Sequence, residues 1–441
     1  MIKDLYSLEF LLLGAILGAA VFIYTIRDYK IAVVLSFLSS FITSVFATNE
    51  PVWINEEVET GIGGYLRAAA LFVSGLIGII YYLRTLQIHK GKIPYQLVIF
   101  AIYIALILYS ITYSIAHNHT ISRAILFLSV FFMMIGLEKW LTNKERLDSL
   151  LLYLYYANGL VIVLCFLSLG FPHRSWWWQQ PNRFIGLYPN PNAMGAFSML
   201  AYPVLFWKFY EYSKTLFQKR FDLILIGMNA LIHLFSGSRT TILTTIFGLS
   251  ILFLIKRKIV KLVLFASILS IVGLVIIFIF TPDNLVRGEE NASSTTVTGR
   301  DVLWGGAITM IMQRPYLGYG YLVEGKIWEN QRLVTFTEEW IIPNAQQPLH
   351  NGYLSVIVGN GFIGFLFFLV SVIIPIVMLA KAKFEKIKAY KAYIISIFLM
   401  ALITNMFESF LTGYHSPGDV LFWIMLIVSI KISHEDFFYK A

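Results

Sequence analysis

The chain alternates long apolar runs with short polar stretches. Thirteen runs stand out: Leu8–Ile26, Ile31–Ala47, Tyr65–Leu83, Tyr95–Ala116, Ile121–Leu137, Leu150–Leu169, Asn192–Tyr212, Phe221–Phe235, Thr240–Ile255, Leu262–Phe280, Gly352–Ala380, Ala392–Leu411 and Val420–Ile432. A bilayer core takes about 20 apolar residues per helix, and most runs reach or approach that length. The pattern predicts an all-α, polytopic membrane protein with about 13 transmembrane helices. Helices 1–10 fall within residues 1–280, one long polar interruption occupies 281–349, and helices 11–13 fall within 350–441.

Composition agrees: 58% hydrophobic and 13% charged residues exclude a secreted or cytosolic soluble enzyme. The net charge of +9 invites a nucleic-acid reading, but the distribution of charge points to orientation instead. One alternate set of connecting segments holds 23 basic and 9 acidic residues, net +14; the other holds 11 basic and 16 acidic, net −5. Excess Lys and Arg marks the cytoplasmic face, which predicts an outer N-terminus and a cytoplasmic C-terminus. Arg27 and Lys30 follow the first apolar run, as suits an uncleaved first span. The single cysteine, Cys165, lies inside an apolar run, which excludes an intrachain disulfide framework and a cysteine metal site.

The basic residue types differ between faces, with 18 Lys and 5 Arg inside against 9 Arg and 2 Lys outside. Arginine's planar fork suits two-point contact with phosphate or carboxylate, so an anionic outer ligand is one reading; ion pairing with the outer acids is the other. The loop Thr281–Leu349 is the one extramembrane piece long enough to fold. Within it, Val302–Met312 is amphipathic, as in a helix lying on a membrane surface, and LGYGYLVEG is a glycine-rich turn region. Trp176, Trp177 and Trp178 beside Tyr188 read first as an interfacial aromatic belt, with stacking on a sugar ring as the alternative.

The sequence has no HExxH, no phosphate-binding Walker loop and no Asp-x-Asp pair, so it predicts no metal and no cofactor. A transporter would place ionisable groups at mid-membrane, whereas nearly all charges here fall at span ends. Glu408, one turn after Asn405 near the outer end of the twelfth run, is the main exception.

Three outer-face candidates for chemistry remain. Arg183 precedes the seventh run in NRFIGLYPNPNAMG. Arg239 sits at the tip of a hairpin whose two runs have about 15 residues each, near 22 Å at the helical rise, against a core of about 30 Å. That places the tip at or below the interface, where a guanidinium needs a partner or a solvated cavity; snorkelling or phosphate capping is the structural alternative. His350 stands where the long loop re-enters the membrane, and an imidazole there can accept a proton near neutral pH. Capping or anchoring a helix start is its plainer role.

Together these residues resemble the O-antigen ligase and Wzy-type polymerase superfamily. His350-Asn351, nine residues, then Gly361-Phe362-Ile363-Gly364 is similar to its H-[N/S/Q]-x9-G-x-x-[G/T/Y] signature. Arg183 with Asn192, and Arg239 in G-S-R, occupy the places of its two outer arginines. The stretch GRDVLWGGAITMIMQRPYLGYG, with Arg300, Trp304, Pro315, Gly318 and Gly320, resembles its external-loop segment. The chain departs from the ligase pattern in having ten runs before the long loop instead of nine.

The resemblance implies a GT-C-like, metal-independent, inverting membrane glycosyltransferase at the outer face of a bacterial cytoplasmic membrane. Its donor would be an undecaprenyl-pyrophosphate-linked glycan and its acceptor a second glycan. Membrane lipid is a further partner, as are a flippase and a chain-length regulator; nucleic acid is not. His350, Arg239 and Arg183 take the catalytic roles, and Arg300, Asn351, Asn192 and Trp304 the substrate-binding ones. Polymerisation of oligosaccharide repeat units for capsule, O-antigen or exopolysaccharide is the leading expectation. A ligase transferring a finished glycan is the alternative within the family, and a lipid-linked oligosaccharide transporter the alternative from another class.

Overall fold

The structure is a computed structural model of the chain; it describes residues 28–39, 62–88, 93–170, 177–178, 183–188, 190–256, 300–329, 349–409, 411 and 417–439. The helices in chain order are α1 (Tyr29–Ser39), α2 (Ile62–Ile88), α3 (Tyr95–Ser110), α4 (His117–Trp140), α5 (Lys144–Ser168), α6 (Pro191–Trp207), α7 (Leu216–Ser236), α8 (Arg239–Ile255), α9 (Arg300–Gln313), α10 (Glu324–Glu329), α11 (Gly352–Lys381), α12 (Lys388–Thr404) and α13 (Pro417–Ile432). A two-residue antiparallel ladder pairs Trp177–Trp178 with Arg183–Phe184.

Among the described residues, five stretches are long and apolar enough to cross a bilayer: Ala68–Thr85, His117–Trp140, Lys144–Ser168, Gly352–Lys381 and Glu385–Thr404. The first and tenth expected spans, Leu8–Ile26 and Leu262–Phe280, lie outside the described residues, as do Trp176 and the side chains of Trp177 and Trp178.

α13 forms the centre of the bundle. Its residues from Val420 to Val428 are almost completely buried, as expected of a helix apolar all round. Trp423 stacks on Phe100 of α3 with ring centroids 5.0 Å apart and meets Phe127 of α4 edge-on at 5.5 Å. Apolar side chains such as Tyr156, Leu160, Leu243, Phe247 and Leu366 stay exposed on the outside, a surface suited to lipid.

Three expectations change. α7 has 21 residues, against the roughly 15 read from its apolar run. A capping box, Thr215 to Gln218, starts it a full turn earlier; α8 has 17 residues. Helix length therefore does not force the Arg239 turn below the interface. The run Ala392–Leu411 is not one helix: α12 ends at Thr404, and Glu408 lies in the turn beyond it. The run from Gly352 is also interrupted, because Gly361 has φ 64° and ψ −173°. The turn segment Pro315–Gly320, with Gly318 and Gly320 at positive φ, laces across that break. Phe362 N donates to Pro315 O at 2.8 Å, Tyr319 N to Val358 O at 2.9 Å, and Gly320 N to Gly359 O at 2.9 Å. The broken helix thus recovers partners for its backbone.

α9 confirms a helix over the amphipathic stretch of the long loop. Leu303, Ala307, Met310 and Ile311 pack with Ile357 and Val358 of α11 in a second apolar cluster. α10 follows on the same segment, where burial raises the Glu324 carboxyl above its ordinary range, beside Ser355 and Arg123.

Candidate functional site

Four elements converge at one end of the bundle. The α7–α8 turn is made by Gly237, left-handed at φ 58°, and a Cβ there would meet Arg183 Nε at 3.2 Å. The Arg183 side chain thus lies along this turn, and its Nε donates to Ser236 O at 2.7 Å. Arg239, exposed, is the first residue of α8 two positions beyond Gly237. The turn brings the chain positions of both arginines to one end of the bundle.

α6 supplies the next member. Asn190 caps it by accepting from Ala193 N at 2.8 Å, and Pro191 occupies the first turn, where a missing N–H costs nothing. Asn192 follows, with Oδ1 accepting from an Arg183 terminal nitrogen at 2.9 Å. Its Nδ2 donates to Glu408 Oε1 at 2.9 Å.

The other Glu408 oxygen, Oε2, lies 3.0 Å from His350 Nδ1. A continuous hydrogen-bonded chain therefore runs Arg183, Asn192, Glu408, His350, drawn from three separate parts of the sequence. His350 has φ 49°, a left-handed conformation uncommon outside glycine and found preferentially at functional positions. The neighbouring backbone is held on both sides. Trp304 Nε1 donates to Leu349 O at 3.0 Å, and Asn351 N donates to Ser409 Oγ at 3.0 Å. Pair thus faces pair: His350 on Glu408, Asn351 on Ser409.

Of the residues singled out in the sequence, Arg183, Asn192 and His350 are joined by contacts, and Arg239 stands on the turn that Arg183 grips. Asn351 uses its side-chain oxygen to cap α11, accepting from Tyr353 N and Leu354 N, each at 3.1 Å. Trp304 spends its indole N–H on the His350 loop. Arg300 begins α9, and its side chain lies outside the described residues. Tyr188 is buried and stacks on Phe197 at 5.4 Å, which makes it part of the packing.

Glu408 is the member that the sequence signalled but did not assign. It stood out as an acid inside an apolar run, and its partner His350 is 58 positions away. At the opposite end of the bundle, Lys256 pairs with Glu211 at 2.7 Å and also reaches Lys388 O at 2.7 Å. Lys256 and Lys388, two of the basic residues that the charge pattern assigns to the other face, therefore stand at the end of the bundle away from the His350 cluster.

Fold and site together define a helical, multi-span membrane protein with a polar, partly open cluster at one end. Residues 223–369 match the family model described as O-antigen ligase, Wzy_C, so this segment carries the domain of the O-antigen ligase and Wzy-type superfamily. The match runs from α7 into α11 and takes in Arg239, α9, His350 and Gly361; Arg183, Asn192 and Glu408 lie outside it. No curated protein matches the chain.

Proposed function

We propose that the protein is a polysaccharide polymerase acting at the outer face of the cytoplasmic membrane, joining lipid-diphosphate-linked oligosaccharide repeat units. The observation that carries this reading is the unbroken chain from Arg183 to His350, beside the turn bearing Arg239. It sets a proton acceptor and guanidinium groups at one end of the bundle, within a chain that carries the ligase-family domain. No nucleotide sugar is supplied outside the cytoplasmic membrane, so an activated donor there arrives on a lipid.

In the reaction, the acceptor hydroxyl gives its proton to His350 while its oxygen bonds to the donor's anomeric carbon. The bond from that carbon to the diphosphate breaks from the opposite face, with inversion, and the diphosphate leaves with the electron pair. Arg183 and Arg239 stabilise the negative charge that develops on it. We assign Arg300 and the ring of Trp304 to contacts with the donor or acceptor sugars, and orient the chain with this end outside and its C-terminus in the cytoplasm.

Membranes supplied with a lipid-linked repeat unit should yield a ladder of lengthening products. A single transfer to a foreign lipid or protein acceptor would mean the ligase reaction instead, and labelled lipid-linked glycan crossing proteoliposomes without new glycosidic bonds would mean transport. Within the same assay, Arg239→Lys is expected to lower turnover about 10- to 100-fold, because a point charge replaces a two-point fork on the leaving group. Undiminished turnover in that variant would remove Arg239 from the site.

A further inference from the structure

The hydrogen-bond polarity of the cluster assigns a role that neither the sequence signature nor the family match contains. A guanidinium only donates, and a carboxylate only accepts. Asn192 lies between one of each, so just one of its two amide orientations serves both neighbours: Oδ1 toward Arg183 at 2.9 Å and Nδ2 toward Glu408 Oε1 at 2.9 Å. Glu408 then has Oε2 left for His350 Nδ1 at 3.0 Å. That oxygen needs a hydrogen from its partner, which puts the imidazole proton on Nδ1. In the neutral ring the lone pair is left on Nε2, the nitrogen turned away from the carboxylate.

We propose that Glu408 is the positioning residue of the site, holding His350 in the Nδ1–H form so that Nε2 is the proton acceptor, with Asn192 joining this pair to the diphosphate-binding Arg183. The inference rests on the transferase reading for its chemistry, but not for the state of the ring. Two further features favour it. His350 keeps 29% of its side-chain surface and Glu408 15%, so the imidazole is the outer member of the pair. The chain beside each is also held to the other, through Asn351 N on the Ser409 hydroxyl Oγ at 3.0 Å and, backbone to backbone, Gly352 N on Asn405 O at 2.8 Å. A carboxylate fixed in this way orients the ring before any substrate arrives, and orientation is worth most when it is settled in advance.

Glu408 does not touch the sugar in this scheme, so its loss is expected to fall on turnover. In the full-length protein assayed with a lipid-linked repeat unit, Glu408→Gln should lower kcat about 100-fold, a share of what a general base supplies. KM for the donor should stay within about twofold, the pattern of an interaction made in the transition state. Glu408→Asp, which keeps a carboxylate, should recover a substantial part of the lost turnover. Equal loss in both variants, or a raised KM with kcat intact, would overturn the positioning role.

A second readout needs no turnover. In protein labelled with nitrogen-15 histidine, the His350 resonances can be picked from those of the eight histidines by their absence in His350→Ala. Wild-type protein should show a protonated Nδ1 and a bare Nε2, and Glu408→Gln a mixture of the two forms. A bare Nδ1 in the wild type would overturn the inference even if transfer is observed. Conversely, a protonated Nδ1 in a protein that makes no glycosidic bond would leave the Glu408–His350 pair standing and remove the transferase reading instead.

Discussion

Replacing His350 by alanine is expected to lower glycosyl transfer about 10²- to 10⁴-fold, the usual contribution of a positioned general base, while the protein remains in the membrane at its wild-type level. The separation of the two outcomes follows from how the residue is held. Its side chain is part-exposed and paired with Glu408, so truncation opens no deep core cavity. Asn192 continues to donate to the other carboxylate oxygen. The loop's course is set by backbone bonds on either side, Trp304 to Leu349 and Asn351 to Ser409, none of which uses the imidazole. Alanine at φ 49° bears the same Cβ penalty as histidine, so the substitution adds little backbone strain. Transfer measured in membranes, beside the amount of protein in the same membranes, tests both halves. Activity within about tenfold of wild type would take the base role from His350.

The candidate site was legible in the sequence to the extent that its members carry distinctive chemistry at element ends. Arg183, Arg239 and His350 each stand where an apolar run meets a polar turn, and hydropathy locates such places without knowledge of packing. What joins them was not legible, because contact between positions 58 or 216 apart, as at His350–Glu408 and Asn192–Glu408, depends on how helices cross. Asn351 illustrates a different limit: an asparagine after a histidine suits ligand contact and helix capping equally, and the structure uses it as a cap. The extra turn of α7 was readable in principle, since Thr215-x-x-Gln218 is a capping-box pattern. Lys219 and Arg220 masked it, because a run bounded by its charges starts at Phe221. The run Ile121–Leu137 came through as α4, His117–Trp140, a few residues longer at each end, whereas Leu150–Leu169 became α5, Lys144–Ser168, which starts more than a turn earlier at the Asn143 cap.

Gly361→Ala is expected to cost more than any exposed-site substitution, through the fold as well as the chemistry. The signature's spacing marks this glycine, but its hydropathic surroundings predict an uninterrupted helix, and a helix interior would welcome alanine. The structure reverses that expectation. At φ 64° and ψ −173° the backbone is in a region essentially restricted to glycine, where another residue costs about 1–3 kcal/mol from conformation alone. A Cβ there would also lie 2.1 Å from both C and O of Tyr316 and 2.5 Å from Leu317 N. Those atoms cannot turn aside as a side chain would, because Phe362 N on Pro315 O and Tyr319 N on Val358 O pin the segment on both flanks. Relief requires the Pro315–Gly320 strip to lift from the helix break. α9, whose Trp304 holds the residue before His350, is carried by the same segment. The variant should therefore unfold at lower temperature in detergent and lose transfer together with stability. Gly325→Ala is the matched control: a Cβ at that position meets nothing within 4 Å, so it should leave both properties unchanged. Wild-type melting and activity in Gly361→Ala would mean that the glycine break in α11 is dispensable to the placement of His350.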